Sequence, residues 1–326
     1  MEQIDKCDII LEILKREKHF VNGTLIAEQL NTSRVTVSNW VRKLVLQGYD
    51  IISVTNRGYK LVSCPDILSR IELAEYLTRP NAENVVCLPV IDSTNDYLKK
   101  LAVKGAKEGT VVVADEQTAG KGRTGKKFYS PKNTGIYLSY LYRPTLDLKD
   151  LSTLTGKVAI AVLKAIKTVC GVELDIKWVN DLLLNGKKVC GILTELSVFG
   201  ENMNVEFAVV GIGINVNNPK SEFSGELSEI ATSLFAELDR KFERKKIVAE
   251  IINNLDLLFT EYTSQTIDYY RSRCVNINKE VSFTYNNTPM TGVVLGIDNN
   301  LSLIVDVDGE IMTLSSGEVS IKNVEG

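Results

Sequence analysis

A single histidine, His19, and six scattered cysteines with no C-x-x-C pair leave no basis for a zinc site of His and Cys. Cysteines spread over apolar segments (Cys7, Cys64, Cys87, Cys170, Cys190, Cys274) are expected as buried, reduced thiols. No apolar run approaches the roughly 18 residues that cross a bilayer, so stretches such as 158–163 belong inside a domain. The opening MEQIDKCDII lacks the basic-then-apolar pattern of a leader. Internal repeats and low-complexity tracts are missing as well. The expectation is a cytoplasmic protein with no membrane partner.

What is present is ordinary in bulk and uneven in detail. With 44% hydrophobic and 24% charged residues, a disordered chain, a collagen and a disulfide-scaffold peptide are excluded, and 326 residues suffice for two or three domains. The net charge of −3 argues against coating with nucleic acid. Residues 1–64 nevertheless hold nine Lys/Arg against seven Asp/Glu, while the remainder holds 29 against 34. The basic piece is the place to look for DNA contact.

That piece reads as a winged helix-turn-helix over 1–64. Ile9, Leu11, Ile13 and Leu14 fall on the inner side of an opening helix, and a short helix follows at 24–30. Ser33 caps a third helix from 34 to about 47, with Val35, Val41, Leu44 and Val45 inward. Arg34, Thr36, Ser38, Asn39 and Arg42 are left outward, where a recognition helix meets base edges. Two short strands around Asn56-Arg57-Gly58 form the wing, with Arg57 at its tip. A winged helix that only binds protein or packs in cis stays open, because outward side chains alone do not establish DNA contact.

Residues 65–272 mix helices and strands. A helix is expected at 68–77, strands at 109–114 and 135–142, and a long core helix after 147–150 carrying Leu151, Leu154, Val158, Val162 and Ile166. Strands at 173–178, 182–184, 188–198 and 205–216 follow, the middle pair joined by Asn185-Gly186 and the last pair by Gly200-Glu201-Asn202. Tight turns imply antiparallel pairing, so the fold is α+β with a mixed or antiparallel sheet, not a doubly wound one. Helices return at 227–238 and 244–262. Residues 273–326 are strands and polar turns, the pattern of a small SH3-like β-barrel.

Four local patterns carry chemistry. The first runs from Gly120 to Lys127 (GKGRTGKK), with four cations, three glycines and no acid among them; such a loop is expected to be mobile until an anion orders it. It satisfies G-x-x-x-x-G-K but has Lys127 where a P-loop needs Ser or Thr, and Pro131 and Gly135 oppose a following helix. The second is Lys177-Trp178-Val179-Asn180-Asp181 with Lys188 and 191–195. Asn180 and Asp181 read as lying between strands, where a carboxylate can hold a metal–phosphate complex. Lys188, in an otherwise apolar strand, is either a site cation or a solvent-side residue. The third, Asp92-Ser93-Thr94-Asn95, is by itself a helix cap. The fourth, Gly211-Ile212-Gly213-Ile214-Asn215, lacks the third glycine of a dinucleotide fingerprint, and its glycines allow a ligand or another backbone to approach.

Together these residues resemble the bifunctional biotin–protein ligases that also act as biotin operon repressors, over essentially the whole chain and in the family's order. The resemblance implies a winged helix, a ligase core at 65–272 and an SH3-like domain at 273–326. It implies an ATP-dependent biotin–[acetyl-CoA-carboxylase] ligase that forms biotinyl-5′-AMP and transfers biotin to a lysine of a biotin carboxyl carrier protein. It further implies repression of biotin genes at operator DNA by a ligand-promoted homodimer.

Carried over by position, Ser93, Thr94, Asn95 and Gln117 would line the biotin site, and Gly120, Lys121, Gly122 and Arg123 would close it. Lys188 would contact the biotin carboxylate and the adenylate phosphate, with Gly191 and Gly213 beside it. Phe128 would stack on adenine; Lys177, Asn180 and Asn215 would serve the nucleotide and Asp181 the Mg²⁺. Arg123, Lys188 and Asp181 are the expected catalytic set, and Glu318 and Lys322 match positions able to reach the ATP side. The chain departs from the common pattern at Lys121, Thr124, Lys126, Val179 and Phe128, which stand where Arg, Arg, Arg, Pro and Trp are frequent. Lysine lacks arginine's bidentate fork, so looser holding of the adenylate is expected. A non-catalytic transcription factor sensing biotin or its adenylate, and a ligase for lipoate or another carboxylic acid, are the alternatives.

Overall fold

The computed structural model describes residues 6–78, 84–143, 151–199, 204–260, 263–317 and 319–321. The expected lead-in at 147–150, the 200–202 turn, Tyr262, Glu318 and Lys322 lie outside the described residues. The chain divides into two compact units, residues 1–67 and 68–326.

In the first unit, α1 (Lys6–Glu17), α2 (Gly23–Gln29) and α3 (Arg34–Leu46) precede a hairpin of β1 (Asp50–Val54) and β2 (Gly58–Ser63). The Ser33 hydroxyl accepts the Thr36 N–H at 3.1 Å and starts α3 as expected. Two inward assignments are corrected. α1 buries Ile10 and leaves Ile9 half-buried. α3 buries Val37, Val41 and Leu44, whereas Val35 is 71% exposed and Val45 45%. Positions 37, 41 and 44 form one helical stripe, and 35 lies about 200° around the axis from 37. Gly58 in the wing has φ +100, and a Cβ there would sit 1.9 Å from the Val21 carbonyl oxygen. Only glycine lets β2 bridge to Val21 at that point.

The second unit is built on a seven-stranded mixed sheet. Its strands are β3 (Val85–Leu88), β4 (Val111–Ala114), β5 (Gly135–Tyr142), β6 (Asp175–Lys177), β7 (Asp181–Leu184), β8 (Lys187–Phe199) and β9 (Asn204–Asn215), in the order β3-β4-β5-β9-β8-β7-β6. Only β3 and β4 run parallel; the other neighbours are antiparallel. Asn185 (φ 51) and Gly186 (φ 79) close the β7–β8 hairpin in the left-handed geometry that the Asn-Gly pair favours.

Helices α4 (Arg70–Ala74), α5 (Thr94–Val103), α6 (Leu151–Cys170), α7 (Leu227–Ile230), α8 (Leu234–Leu238), α9 (Arg244–Thr260) and α10 (Ser264–Arg273) complete the unit's α content. The helix expected at 68–77 is thus five residues long. The one expected over 227–238 is broken at Ala231–Ser233, where the Ser233 hydroxyl takes the Ala236 N–H at 2.9 Å and caps a new helix. The two faces of the sheet are covered differently. Val111, Val113, Ile136, Leu138, Val210 and Ile212 pack with α6 and α9, while Val112, Leu141, Phe207 and Val209 pack with Leu98 and Ala102 of α5.

The C-terminal strands β10 (Glu280–Tyr285), β11 (Thr288–Ile297), β12 (Leu303–Val307), β13 (Glu310–Leu314) and β14 (Val319–Ile321) form one antiparallel sheet ordered β13-β12-β11-β10-β14. Val281, Leu303 and Val305 join the same core as α6, and the Trp178 indole donates to the Leu301 carbonyl at 2.8 Å. The C-terminal sheet is therefore held against the strands that carry the candidate site.

Candidate functional site

Strand alternation builds the floor. On β9 the even-numbered residues Ala208 to Ile214 enter the α6/α9 core, so Gly211, Gly213 and Asn215 share the α5 face with Phe207 and Val209. Gly213 pairs with Tyr137 on one side and Gly191 on the other, and Gly191 pairs with Asp181. Two neighbouring strands thus meet glycine to glycine.

The glycines make room for side chains, not for another backbone. A Cβ on Gly211 would lie 2.4 Å from Asn95 Oδ1, and one on Gly213 would lie 2.5 Å from the Phe128 ring. A Cβ on Gly191 would meet the Lys188 side chain at 2.9 Å.

Simple alternation would send Lys188 into the core with Cys190 and Ile192. A register shift prevents this: Leu182 pairs with Cys190, but Leu183 pairs with Lys188, leaving Val189 as the extra residue of a bulge. Val189 and Cys190 both point inward, fully buried, and Lys188 comes out on the site face. There its Nζ lies 2.7 Å from Asp181 Oδ1. Lys188 therefore lies on the cavity-lining face of the sheet, not in the core. Asp181 is corrected from its expected place between strands: it is the first residue of β7, while Asn180 ends the turn of residues 178–180 between β6 and β7.

Two adjacent cavities open on this floor. The inner one, about 50 Å³, is lined by Ser93, Thr94, Asn95, Gln117, Lys121, Gly191 and Gly213 among others. The outer one, about 280 Å³, includes Lys177, Asp181 and Asn215. Gly122, Arg123, Phe128, Asn180 and Lys188 line both and mark where the cavities meet. Of the expected ligand residues that are described, Gly120 alone lines neither; its carbonyl takes the Phe128 N–H at 2.9 Å, and a Cβ would strike Phe128 O at 2.5 Å.

Ser93, at the N-cap of α5, accepts the Asp96 N–H, while Gln117 Oε1 accepts both the Thr94 N–H (2.9 Å) and its hydroxyl (3.0 Å). Asn95 donates to Glu195 Oε2 at 2.7 Å and accepts from Ser139 at 2.5 Å. The buried Ser139 was not anticipated, and Glu195, part of the 191–195 pattern, was not expected as the partner of Asn95. The only local signal was a hydroxyl or acid on the open face of a strand whose other face is apolar. Phe223, Leu227, Ile230 and Val319 of the outer cavity come from distant segments and carried no signal at all.

The basic loop has partners, contrary to the expectation drawn from its own eight residues. Lys121 Nζ lies 2.6 Å from Asp96 of α5, and Arg123 donates to Asn180 Oδ1 (2.9 Å) and to the Gly317 carbonyl (2.8 Å). The Gly122 N–H donates to Lys126 O at 2.7 Å, folding the loop on itself. No group of three His, Cys, Asp or Glu close enough for a metal occurs among the described residues. Asp181, held by Lys188 and by Asn180 Nδ2 at 3.1 Å, is an acid lining the outer cavity beside that junction.

In the first unit Arg34, Asn39, Arg42 and Arg57 are exposed and Thr36 and Ser38 half-exposed. The Thr36 hydroxyl pairs with Ser33, and Arg57 lies 4.3 Å over the Phe20 ring, which restrains the wing tip.

Sheet, glycine floor and paired cavities define a protein of the biotin/lipoate A/B protein ligase class, whose family model matches residues 87–215. An HTH-domain model matches residues 8–60, and a biotin protein ligase C-terminal-domain model residues 277–322. The bifunctional ligase/repressor BirA of Bacillus spizizenii is 33% identical over 319 residues, covering 96% of this chain and 98% of the relative. That of Escherichia coli is 28% identical over 310 residues, 94% of each. A biotin protein ligase from Aquifex aeolicus in complex with biotin and ATP superposes with a TM-score of 0.61 at 28% identity, covering 73% of this chain and 99% of that one. The chain belongs to the bifunctional ligase/repressor family. Among its described residues no helix is long and apolar enough to cross a membrane.

Proposed function

We infer that this chain is a biotin–[acetyl-CoA-carboxylase] ligase whose winged helix also makes it a repressor. The observation that carries the reading is the junction of the two cavities at Arg123, Asn180 and Lys188, where two anionic reactants would meet. Biotin occupies the inner cavity, its polar ring system among Ser93, Thr94, Asn95 and Gln117, under Lys121 and Gly122. ATP occupies the outer one, adenine against Phe128 and the phosphates near Lys177, Asn180 and Asn215.

A carboxylate and an α-phosphate repel, so the cations at the junction do the essential work. Arg123 and Lys188 bring the biotin carboxylate to phosphorus; an oxygen–phosphorus bond forms, the bond to pyrophosphate breaks, and biotinyl-5′-AMP results. The acceptor lysine of a biotin carboxyl carrier protein then attacks the carbonyl as its free amine, and AMP leaves. Closure of the 120–127 loop over the mixed anhydride excludes water from it. Magnesium arriving with ATP needs only one or two carboxylates beside the phosphates, which suits Asp181 standing alone. Its charge screens the phosphates when bound. Lys188 then exchanges Asp181 for ligand oxygens.

One winged helix presents few cations, too few for tight binding as a monomer. A two-fold dimer doubles the phosphate contacts and reads an inverted repeat with Arg34, Thr36, Ser38, Asn39, Arg42 and Arg57. Dimerisation promoted by the adenylate would link operator binding to the intermediate. The test of the ligase is incubation with ATP, labelled biotin and a carrier domain, with lipoate as a parallel substrate. Label must appear on the carrier lysine from biotin; no transfer, or transfer of lipoate alone, overturns the reading.

A further inference from the structure

Asp96 lies in the first turn of α5, and its carboxylate sits between two lysines. Lys121 Nζ, from the basic loop, is 2.6 Å from one oxygen, and Lys99 Nζ is 3.1 Å from the other. Lys99 continues to Glu195 Oε1 on β8 at 2.8 Å, and the second oxygen of Glu195 receives Asn95 from the floor of the inner cavity. A row of alternating charges therefore runs from the floor of that cavity to the loop above it. Burial alone would push the Asp96 carboxyl up, but hydrogen bonds from Lys121 and Lys99 outweigh it and hold it below its ordinary value. Lys121 lines the cavity and Asp96 does not.

We propose that Asp96 is a positioning residue for biotin binding: through Lys121 it holds the 120–127 loop at the mouth of the inner cavity before ligand arrives. The proposal rests on that cavity being biotin's. A loop of glycines and like charges must lose conformational freedom to close, and whatever part of that ordering exists in the free protein no longer opposes binding. Ion pairs as exposed as this one, with Lys121 46% open to solvent, contribute modestly. The effect belongs to the binding step, since Asp96 touches neither reacting group.

The test compares full-length wild type, Asp96→Asn and Asp96→Glu, alone and in a Lys121→Ala background. Amide hydrogen exchange of residues 121–126 is measured without ligand, together with KM for biotin and the single-turnover rate of transfer. Asp96→Asn is expected to speed loop exchange and raise KM by about two- to fivefold, with the transfer rate unchanged. Asp96→Glu keeps the carboxylate and stays near wild type. In Lys121→Ala, Asp96→Asn adds nothing. Equal exchange in wild type and Asp96→Asn overturns the proposal. So does an undiminished effect in the Lys121→Ala background, which would place it at the helix terminus or Lys99. Exchange in the empty protein does not depend on the ligase reading. If that reading is wrong, wild type transfers no biotin while the exchange difference persists, and the assigned role of the tether is overturned though the tether remains.

Discussion

Replacing Lys188 by alanine tests the site where the structure is most specific. The side chain reaches the junction of the two cavities, and among the described residues its charged neighbour within ion-pair distance is Asp181, at 2.7 Å. A charge-assisted hydrogen bond contributes about 1.5–3 kcal/mol. Lys188 is 32% exposed, so solvent screening favours the lower part of that range, about 1.5–2 kcal/mol, or about 10- to 30-fold in affinity. Removal also leaves the Asp181 carboxylate facing the ligand's anions, so Asp181→Asn added to Lys188→Ala is expected to recover part of the loss. The fold is not at risk, because Lys188 contributes to it through its main chain: its carbonyl accepts the Thr232 N–H at 2.9 Å, and its strand pairing with Leu183 is retained. Calorimetric titration with biotin and with biotinyl-5′-AMP measures both losses. Unchanged affinity for both ligands would refute the assignment of Lys188 as the anion-contacting cation.

The glycine floor predicts a split. Gly211→Ala drives a methyl into Asn95 and should raise KM for biotin severalfold more than KM for ATP, whereas Gly213→Ala displaces Phe128 and should do the reverse; equal effects from both would refute the two-cavity assignment. Arg34→Ala combined with Arg42→Ala is expected to weaken operator binding in an anisotropy titration while leaving biotin transfer to the carrier unchanged. A loss of transfer would mean that these arginines do not act on DNA alone. Burial pushes the Cys190 thiol far above its ordinary value, with the Lys188 charge opposing only in part. The thiol therefore stays protonated, and iodoacetamide at pH 8 should label it only after denaturation. Labelling of native protein at the rate of a free thiol would show that the core around β8 opens.

Sequence alone determined whatever depends on neighbours along the chain. The Ser33 cap, the wing turn at Asn56–Gly58 and the β7–β8 hairpin at Asn185-Gly186 each follow from a residue's own conformational preference. Six of the seven core strands follow from runs of alternating or continuous apolar residues; the short β3, which pairs parallel with β4, was not expected. The motif positions were legible too, because glycines and cations are conspicuous inside apolar strands. Tertiary structure decided the direction and the partner of each side chain. Lys188 faces the site because Val189 is extruded in a bulge against β7, a consequence of pairing with another strand that no periodicity in β8 reveals. The basic loop looked unpaired because its acid, Asp96, lies 25 residues earlier and reaches Lys121 only once α5 packs on the sheet. Val35 and Val37 are equally apolar, and only the packing of α3 on α1 and α2 chose which one to bury. Gly211 and Gly213 are small for the sake of Asn95 and Phe128, residues far away in sequence whose side chains come to rest on the floor only when the strands are in register.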